Sequence, residues 1–236
     1  MGCGCSCGGR KQKVAPITNE SLETINSINQ VIIPAFKKIR KKKINEIETD
    51  NEVEQAIATL IELQKKPLSP KEVDICVNSF IKSKPIKTLQ TLVSFRAKQN
   101  FDLLDDKLLL SKIYLEMLAL LEIWSENNET LCKEIMKDHG GAIFLEELLT
   151  ESFKGQFFFD HNSSPIAKCI NYYLIILYNI AHFEVAKNKM MKSLRKRNYI
   201  SSFIPLLQYT RLFFIRPFSK DRVIKIPIKF NNNNYF

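Results

Sequence analysis

The chain of 236 residues contains only 7 glycines. Gly2, Gly4, Gly8 and Gly9 lie within the first nine residues, so the body of the chain has few positions for glycine-dependent turns. Because β-sandwiches and barrels need many such turns, this scarcity favours a helical fold. A hydrophobic fraction of 45% is typical of a globular chain.

The sequence motifs of common catalytic and cofactor sites are also missing. The 3 histidines are scattered, and no H-E-x-x-H, G-x-x-x-x-G-K-[ST], G-x-G-x-x-G or G-x-S-x-G pattern occurs. The best catalytic candidate, His161 beside Asp160, is read as a surface pair. We therefore predict a protein that is not an enzyme, has no cofactor or bound metal, and takes no small-molecule substrate.

Long apolar runs that could enter a membrane are absent as well. Residues 1–30 contain no apolar h-region, which argues against a secretory signal peptide. Residues 106–124 are apolar on nearly every side, but Lys112, Glu116 and Glu122 interrupt them. This pattern predicts a central buried helix rather than a membrane span.

What the N-terminus does contain is a pattern for lipidation. Once Met1 is removed, Gly2 followed by Ser6 fits the M-G-x-x-x-[ST] rule for N-myristoylation. One myristoyl chain binds membranes only marginally, so stable anchoring needs a second signal. The sequence predicts that this signal is palmitoylation at three nearby cysteines, Cys3, Cys5 and Cys7.

The rival interpretation of the same cysteines is metal binding, because soft thiolates suit Cu(I) or Zn. Structural zinc sites usually combine two Cys or Cys/His pairs, and no second cluster exists in this chain. The remaining cysteines each fall within an apolar helical pattern, which predicts buried, reduced thiols in a cytosolic protein. They are Cys76, Cys132 and Cys169.

Basic residues are concentrated at the two ends of the chain. Of the net charge of +10, residues 1–45 contribute +7 and residues 195–236 contribute +8, which leaves −5 for the middle. A basic run in the first segment is predicted to add membrane attraction of about 1 kcal/mol per residue. It comprises Lys37, Lys38, Arg40, Lys41, Lys42 and Lys43.

The helix that contains this run has two open interpretations. Its apolar side is formed by Phe36, Ile39, Ile44 and Ile47. It could lie at the membrane interface as an amphipathic helix, or it could be the first packed helix with a solvated basic face. Pro34 is expected to kink or divide it.

Further helices are marked by local start signals. Ser69-Pro70 with Glu72 predicts a capping box, and Asn127 or Asn128 is expected to cap a short helix. Pro85 and Pro165 are also predicted to begin helices. A phenylalanine-rich loop is expected at 152–164, and the Asn-rich end is predicted to be disordered.

Two stretches of the chain share one order of parts. The first contains 121-LEIWS-125, a short helix and "NETLCKEIMKDHGGAIFLEELL"; the second contains 177-LYNIA-181, a short helix and Leu206-Leu207. These segments resemble armadillo repeats, in which a long buried helix, a short helix and a helix ending in paired leucines recur. The resemblance covers roughly residues 105–208 and implies that Asn179, at the place of the repeated armadillo asparagine, contacts a bound peptide.

An acylated N-terminus joined to such repeats is similar to the vacuolar armadillo adaptors and the armadillo-repeats-only proteins. The expected fold is all-α, an armadillo/HEAT-like right-handed helical solenoid. The expected divisions are a disordered, lipidated tether (1–17), a helical domain (18–208) and an irregular basic tail (209–236).

The expected function is a membrane-anchored adaptor that binds protein partners at the cytoplasmic face of the plasma membrane or of an endolysosomal or vacuolar membrane. The alternative is a soluble basic module that contacts nucleic acid or importins.

Overall fold

The computed structural model describes residues 18–99, 105, 107–137 and 165–196, and every regular element in these ranges is helical. The all-α class is thereby confirmed for the described part of the chain. The tether, the phenylalanine-rich loop and the tail all lie outside these ranges. The helices are α1 (Asn19–Ser27), α2 (Ile33–Ile39), α3 (Ile44–Ile47), α4 (Asn51–Lys65), α5 (Pro70–Lys82), α6 (Pro85–Gln99), α7 (Leu109–Ser125), α8 (Glu129–Ile135), α9 (Pro165–His182) and α10 (Glu184–Lys196).

Helix α7 is the centre of the described structure, as its apolar sequence predicted. It packs between α4 and α9 and also contacts α3, α6 and α8. Buried residues occur around most of its circumference, including Ile113, Tyr114, Leu118 and Ala119. Within the described ranges, no helix combines the length and apolarity needed to cross a bilayer.

The first helical stretch accommodates Pro34 through a π-helical segment at Ile28–Ile32. The Ile33 N–H donates to the Ile28 carbonyl, one residue further back than in an α-helix. Ile28 and Ile33 keep right-handed helical dihedrals, with φ near −60° in both. The expected interruption therefore takes the form of a wider turn just before the proline, which relieves the clash that an α-helical proline would cause.

The basic helix is packed rather than interfacial. The four apolar residues that could have faced a membrane, Phe36, Ile39, Ile44 and Ile47, are at most 8% exposed and belong to the core. This excludes the interfacial amphipathic interpretation of that face, because the same side chains cannot be buried in two places. The second interpretation, a packed helix with a solvated basic side, is the one that the structure supports.

Three aromatic rings join different helices in the core. Phe80 of α5 stacks edge-to-face on Phe36 of α2, with ring centroids 6.3 Å apart, and on Trp124 of α7, with centroids 5.4 Å apart. All three side chains are at most 2% exposed. Phe80 therefore links the first helical stretch to the central helix.

Local capping signals lie where the sequence predicted them. The Glu72 carboxylate accepts a hydrogen bond from the Ser69 N–H at 2.8 Å, at the start of α5. Asn128 caps α8, since its side-chain oxygen accepts from the Leu131 N–H at 2.7 Å. The same Asn128 amide donates to Asp74 of α5 at 2.5 Å, so the cap also joins two helices.

Glu72 also joins α5 to the beginning of α1. Its carboxylate accepts hydrogen bonds from the Thr18 and Ser21 hydroxyls as well as from Ser69. The hydrogen bond from Thr18, followed by those from the Ser69 hydroxyl and N–H, lowers the pKa of Glu72 from 4.5 to about 2. The folded state therefore favours the ionised carboxylate.

This shift predicts how acid affects the Glu72→Gln variant. Because the folded-state pKa is depressed, the stabilisation is present above about 4.5 and is lost as pH falls through about 2. The gap in unfolding free energy between wild type and Glu72→Gln should be largest near neutral pH and shrink steadily in acid. Urea unfolding across this pH range measures it. Glu62→Gln, at an exposed site on α4, is the charge-matched control, and a gap independent of pH would contradict the prediction.

Candidate functional site

The predicted basic segment, residues 37–43, lies at the end of α2 and in the turn that follows it. Successive residues of an α-helix project about 100° apart, so a run of adjacent charges cannot share one face. The six basic side chains accordingly divide into three groups with different surroundings. Only one of these groups is left fully to solvent.

The first group, Lys38 and Lys42, is paired with the N-terminus of α4. Both ammonium groups contact the Asp50 carboxylate, at 3.1 Å and 3.2 Å. Lys38 also contacts Glu52 at 2.8 Å, and this hydrogen bond raises the pKa of Lys38. Burial favours a raised pKa for Asp50, but the hydrogen bonds from Lys38, the Glu52 N–H and Lys42 outweigh it and hold the pKa below its usual value.

These pairs neutralise part of the charge that the sequence analysis assigned to membrane attraction. Asp50 is the N-cap of α4 and accepts the Glu52 N–H at 3.0 Å, so its carboxylate is fixed in place. The two lysines and Asp50 line a shallow surface depression. Their charges are compensated within the fold.

The second group is Arg40 alone, which points to the turn between α5 and α6. Its Nη1 donates to the Ser83 carbonyl at 2.8 Å, to the Lys84 carbonyl at 3.4 Å and to the Thr88 hydroxyl at 2.5 Å. Burial lowers the pKa of this guanidinium. Arg40 therefore satisfies the carbonyl of Ser83, the residue that ends α5, where carbonyls have no partner within the helix.

The third group consists of Lys37, Lys41 and Lys43. All three are exposed, and none forms an ion pair or side-chain hydrogen bond within the described part of the chain. Of the predicted electrostatic residues, these three have charges that remain available to an external anion.

The predicted lipidation residues Gly2, Cys3, Cys5 and Cys7 lie outside the described residues, and their modification stays a prediction. Among the residues that the structure describes, no group of three His, Cys, Asp or Glu side chains could hold a metal ion. The other cysteines, Cys76, Cys132 and Cys169, are buried, as predicted, and the described residues contain no disulfide between them.

Burial makes two of these thiols poor nucleophiles. It raises the pKa of Cys76 to about 11 and that of Cys132 to about 12. Only the thiolate reacts readily, so these side chains act as small apolar groups. Any acyl transfer to cysteine in this chain is therefore expected at the N-terminal cysteines rather than at these two.

Asn179, the predicted peptide-contacting residue, lies between two helices. It is 3% exposed, and its amide nitrogen donates to the Glu122 carbonyl at 3.1 Å and to the Ser125 hydroxyl at 2.9 Å. These bonds tie α9 to the end of α7. Contact with a bound peptide stays a prediction, and the amide nitrogen is already used inside the fold.

Sequence reasoning missed the residues that determine which basic side chains of residues 37–43 are paired within the fold. Asp50 lies 12 residues from Lys38, and Ser83 lies 43 residues from Arg40. The only sequence signal was the single arginine, Arg40, within a run of lysines, since guanidinium groups suit multiple carbonyl acceptors.

The comparisons with known proteins found no relative with which this site can be compared. Neither a protein-family model, nor a curated protein sequence, nor a solved structure matches the chain significantly.

Proposed function

We propose that this protein is a lipid-anchored helical adaptor that binds a protein partner at the cytoplasmic face of a membrane. One observation carries the proposal: Gly2 and Ser6 stand in myristoylation register, with Cys3, Cys5 and Cys7 interleaved as palmitoylation sites. Two kinds of acyl group together anchor a protein far more stably than one. The folded part would then be held at the membrane surface.

The character of the other cysteines supports a cytosolic setting. Cys76 and Cys132 are free thiols, and both are buried, as is Cys169. Free thiols are typical of compartments that keep cysteine reduced, and the acyl transferases act on chains exposed to the cytosol. The plasma membrane and endolysosomal or vacuolar membranes are the candidate locations.

The armadillo-like part of the proposal is supported by how the two repeated segments meet. The stretch 121–125 ends α7 and the stretch 177–181 lies in α9, and these helices pack against each other. Asn179 of the second segment bonds to Glu122 and Ser125 of the first. Direct packing of the helices that hold the equivalent segments is the arrangement expected of stacked repeats. The exposed surface of such a stack would bind the partner.

The anchor is tested by fractionating cells that express wild type, Gly2→Ala or the control Gly4→Ala. Wild type and Gly4→Ala should be recovered with membranes, whereas Gly2→Ala should become soluble because myristoylation requires glycine at that position. Replacing Cys3, Cys5 and Cys7 by serine should weaken membrane recovery but leave the myristoyl group. Intact mass before and after hydroxylamine identifies both modifications.

Persistent membrane recovery of Gly2→Ala would contradict the proposal, as would an unmodified N-terminus in protein purified from its own cells. An unmodified protein that enters the nucleus and binds RNA or DNA in a salt-dependent way would support the soluble basic module instead.

A further inference from the structure

The fold brings together exposed lysines from two distant parts of the sequence. Lys37 and Lys41 lie at the end of α2, while Lys82, Lys84 and Lys87 surround the turn between α5 and α6. We call these five residues the α2–α6 basic surface. The second set was not among the basic residues that the sequence analysis singled out.

Arg40 is the side chain that joins the two parts. Its Nη1 lies 2.8 Å from the Ser83 carbonyl and 3.4 Å from the Lys84 carbonyl, and helices α2 and α6 pack against each other. The two lysine sets therefore flank one partly buried contact, which Arg40 makes.

The helical position of Lys37 on α2 places it on the Arg40 side, since at about 100° per residue Lys37 projects about 60° from Arg40. Lys41 follows Arg40 directly, in the turn after α2, and is exposed. Lys38 projects about 160° away from Arg40, which agrees with its pairing to Asp50 on the opposite side. Lys37, the uncompensated lysine of α2, thus lies towards the α5–α6 turn, and Lys41 adjoins Arg40 in sequence.

No acidic residue interrupts this surface from its own helices. Neither α2 nor α6 contains aspartate or glutamate, and the last acidic residue of α5, Asp74, lies two helical turns before Lys82. None of the five lysines has an ion pair within the described residues. The helices that form this surface therefore contribute only positive charge to it.

The backbone at Lys84 adds a second observation. Its φ of 59° lies in the left-handed region, which favours glycine or asparagine at the end of a helix. The chain nevertheless has lysine there, immediately before Pro85. A charged side chain is thus present where the backbone conformation favours a smaller residue. Arg40 donates hydrogen bonds to the carbonyls of Ser83 and Lys84 in this turn.

We propose that the α2–α6 basic surface is the face on which the domain contacts an anionic lipid bilayer. Lysine side chains on an exposed surface suit a layer of mobile head groups. Platforms for single-stranded nucleic acid need exposed aromatic rings, but in the described part the exposed large hydrophobic side chains are Leu22 on α1 and Val185 on α10. This inference extends the proposed anchor by giving the domain an orientation on the membrane.

The predicted tether is long enough to allow this orientation. Thr18, where the described chain begins, is about 33 Å from Arg40 along the first helical stretch, at about 1.5 Å per residue. The preceding residues 1–17 can span at most about 60 Å. An acyl group at Gly2 can therefore reach the same leaflet that the basic surface contacts.

The test uses the full chain without acylation, verified by intact mass, and phosphatidylcholine vesicles with or without phosphatidylserine. The test variant replaces Lys82, Lys84 and Lys87 by glutamine. The charge-matched control replaces Lys71, Lys189 and Lys192, which are exposed lysines at the start of α5 and on α10. Matching thermal unfolding curves establish that both variants are folded.

Wild type should bind vesicles that contain phosphatidylserine, and binding should weaken as salt is added. Each lysine at the surface contributes roughly a fivefold increase in binding, so the test variant should bind about 100-fold more weakly. The vesicle binding of the control variant should weaken only a few-fold.

Three results would overturn the inference: no binding of wild type at low salt, equal losses in both variants, or no loss in the test variant. Tighter binding of RNA than of vesicles, lost in the test variant, would assign the surface to nucleic acid instead. Because the assay uses unacylated protein, its failure leaves the anchor proposal intact. Conversely, an unmodified native N-terminus would refute the anchor but not the surface.

Discussion

Replacing Phe80 with alanine should lower the free energy of unfolding by about 3–5 kcal/mol. Phe80 is fully buried and stacks edge-to-face on both Phe36 and Trp124. Truncation removes contacts with two other helices at once and leaves a cavity that the surrounding α2, α5 and α7 can fill only partly. Denaturant unfolding followed by circular dichroism measures the loss.

Two comparison variants make this prediction specific. Phe80→Leu keeps most of the side-chain volume and should lose less stability than alanine, mainly the ring contacts, which are worth about 0.5–1.5 kcal/mol each. Val185→Ala, at a side chain that is 47% exposed, should change stability by at most about 0.5 kcal/mol. Similar losses at Phe80 and Val185 would be inconsistent with Phe80 as a core link.

The second large effect is expected at Glu48, which caps the central helix from a distant part of the chain. Its two carboxylate oxygens accept the Leu109 N–H at 2.8 Å and the Leu110 N–H at 3.0 Å. The residue that precedes α7, Leu108, has no side-chain acceptor of its own. Glu48 therefore supplies a cap that the local sequence of α7 lacks.

Glu48→Ala should lower the free energy of unfolding by about 2–3 kcal/mol, because it removes two hydrogen bonds to a charged acceptor at a helix N-terminus. Glu48→Gln keeps one acceptor oxygen and should lose less. The matched control is Glu46→Ala, an exposed acidic residue of the neighbouring helix α3, which should be nearly neutral. If the Glu46 and Glu48 variants are equally stable, then the cap does not contribute.

Features that depend on neighbours in the sequence were predictable. The start of α5 at Pro70, the Asn128 cap and the central position of α7 follow from interactions within a few residues or from a continuous apolar pattern. The sequence also indicated that the three internal cysteines are buried, since each falls on an apolar helical stripe. In these cases the residues that interact lie within one helical turn or share one face.

Features that depend on distant partners were not predictable. Glu48 is separated by 61 residues from the Leu109 N–H that it accepts, and Arg40 by 43 from Ser83. Apart from the single arginine among lysines, no local pattern distinguishes these two side chains from the exposed charges beside them. The difference arises only when helices pack, because packing decides which neighbouring charge meets an unpaired helix end.

By itself the sequence determined the helical class, most helix starts, the apolar character of α7 and the lipidation pattern at Gly2. Local sequence is enough to predict these features, because helix capping, apolar periodicity and the lipidation motif each depend on short stretches of the chain. Only the tertiary structure decided which side chains of the basic run at 37–43 are paired within the fold and which stay exposed. Packing of α2 against α4, α5 and α6 pairs Lys38 and Lys42 with Asp50 and bonds Arg40 to the turn between α5 and α6. It leaves Lys37 and Lys41 exposed, as are Lys82, Lys84 and Lys87. Charge that is continuous in sequence is divided in space because a helix points adjacent residues in different directions.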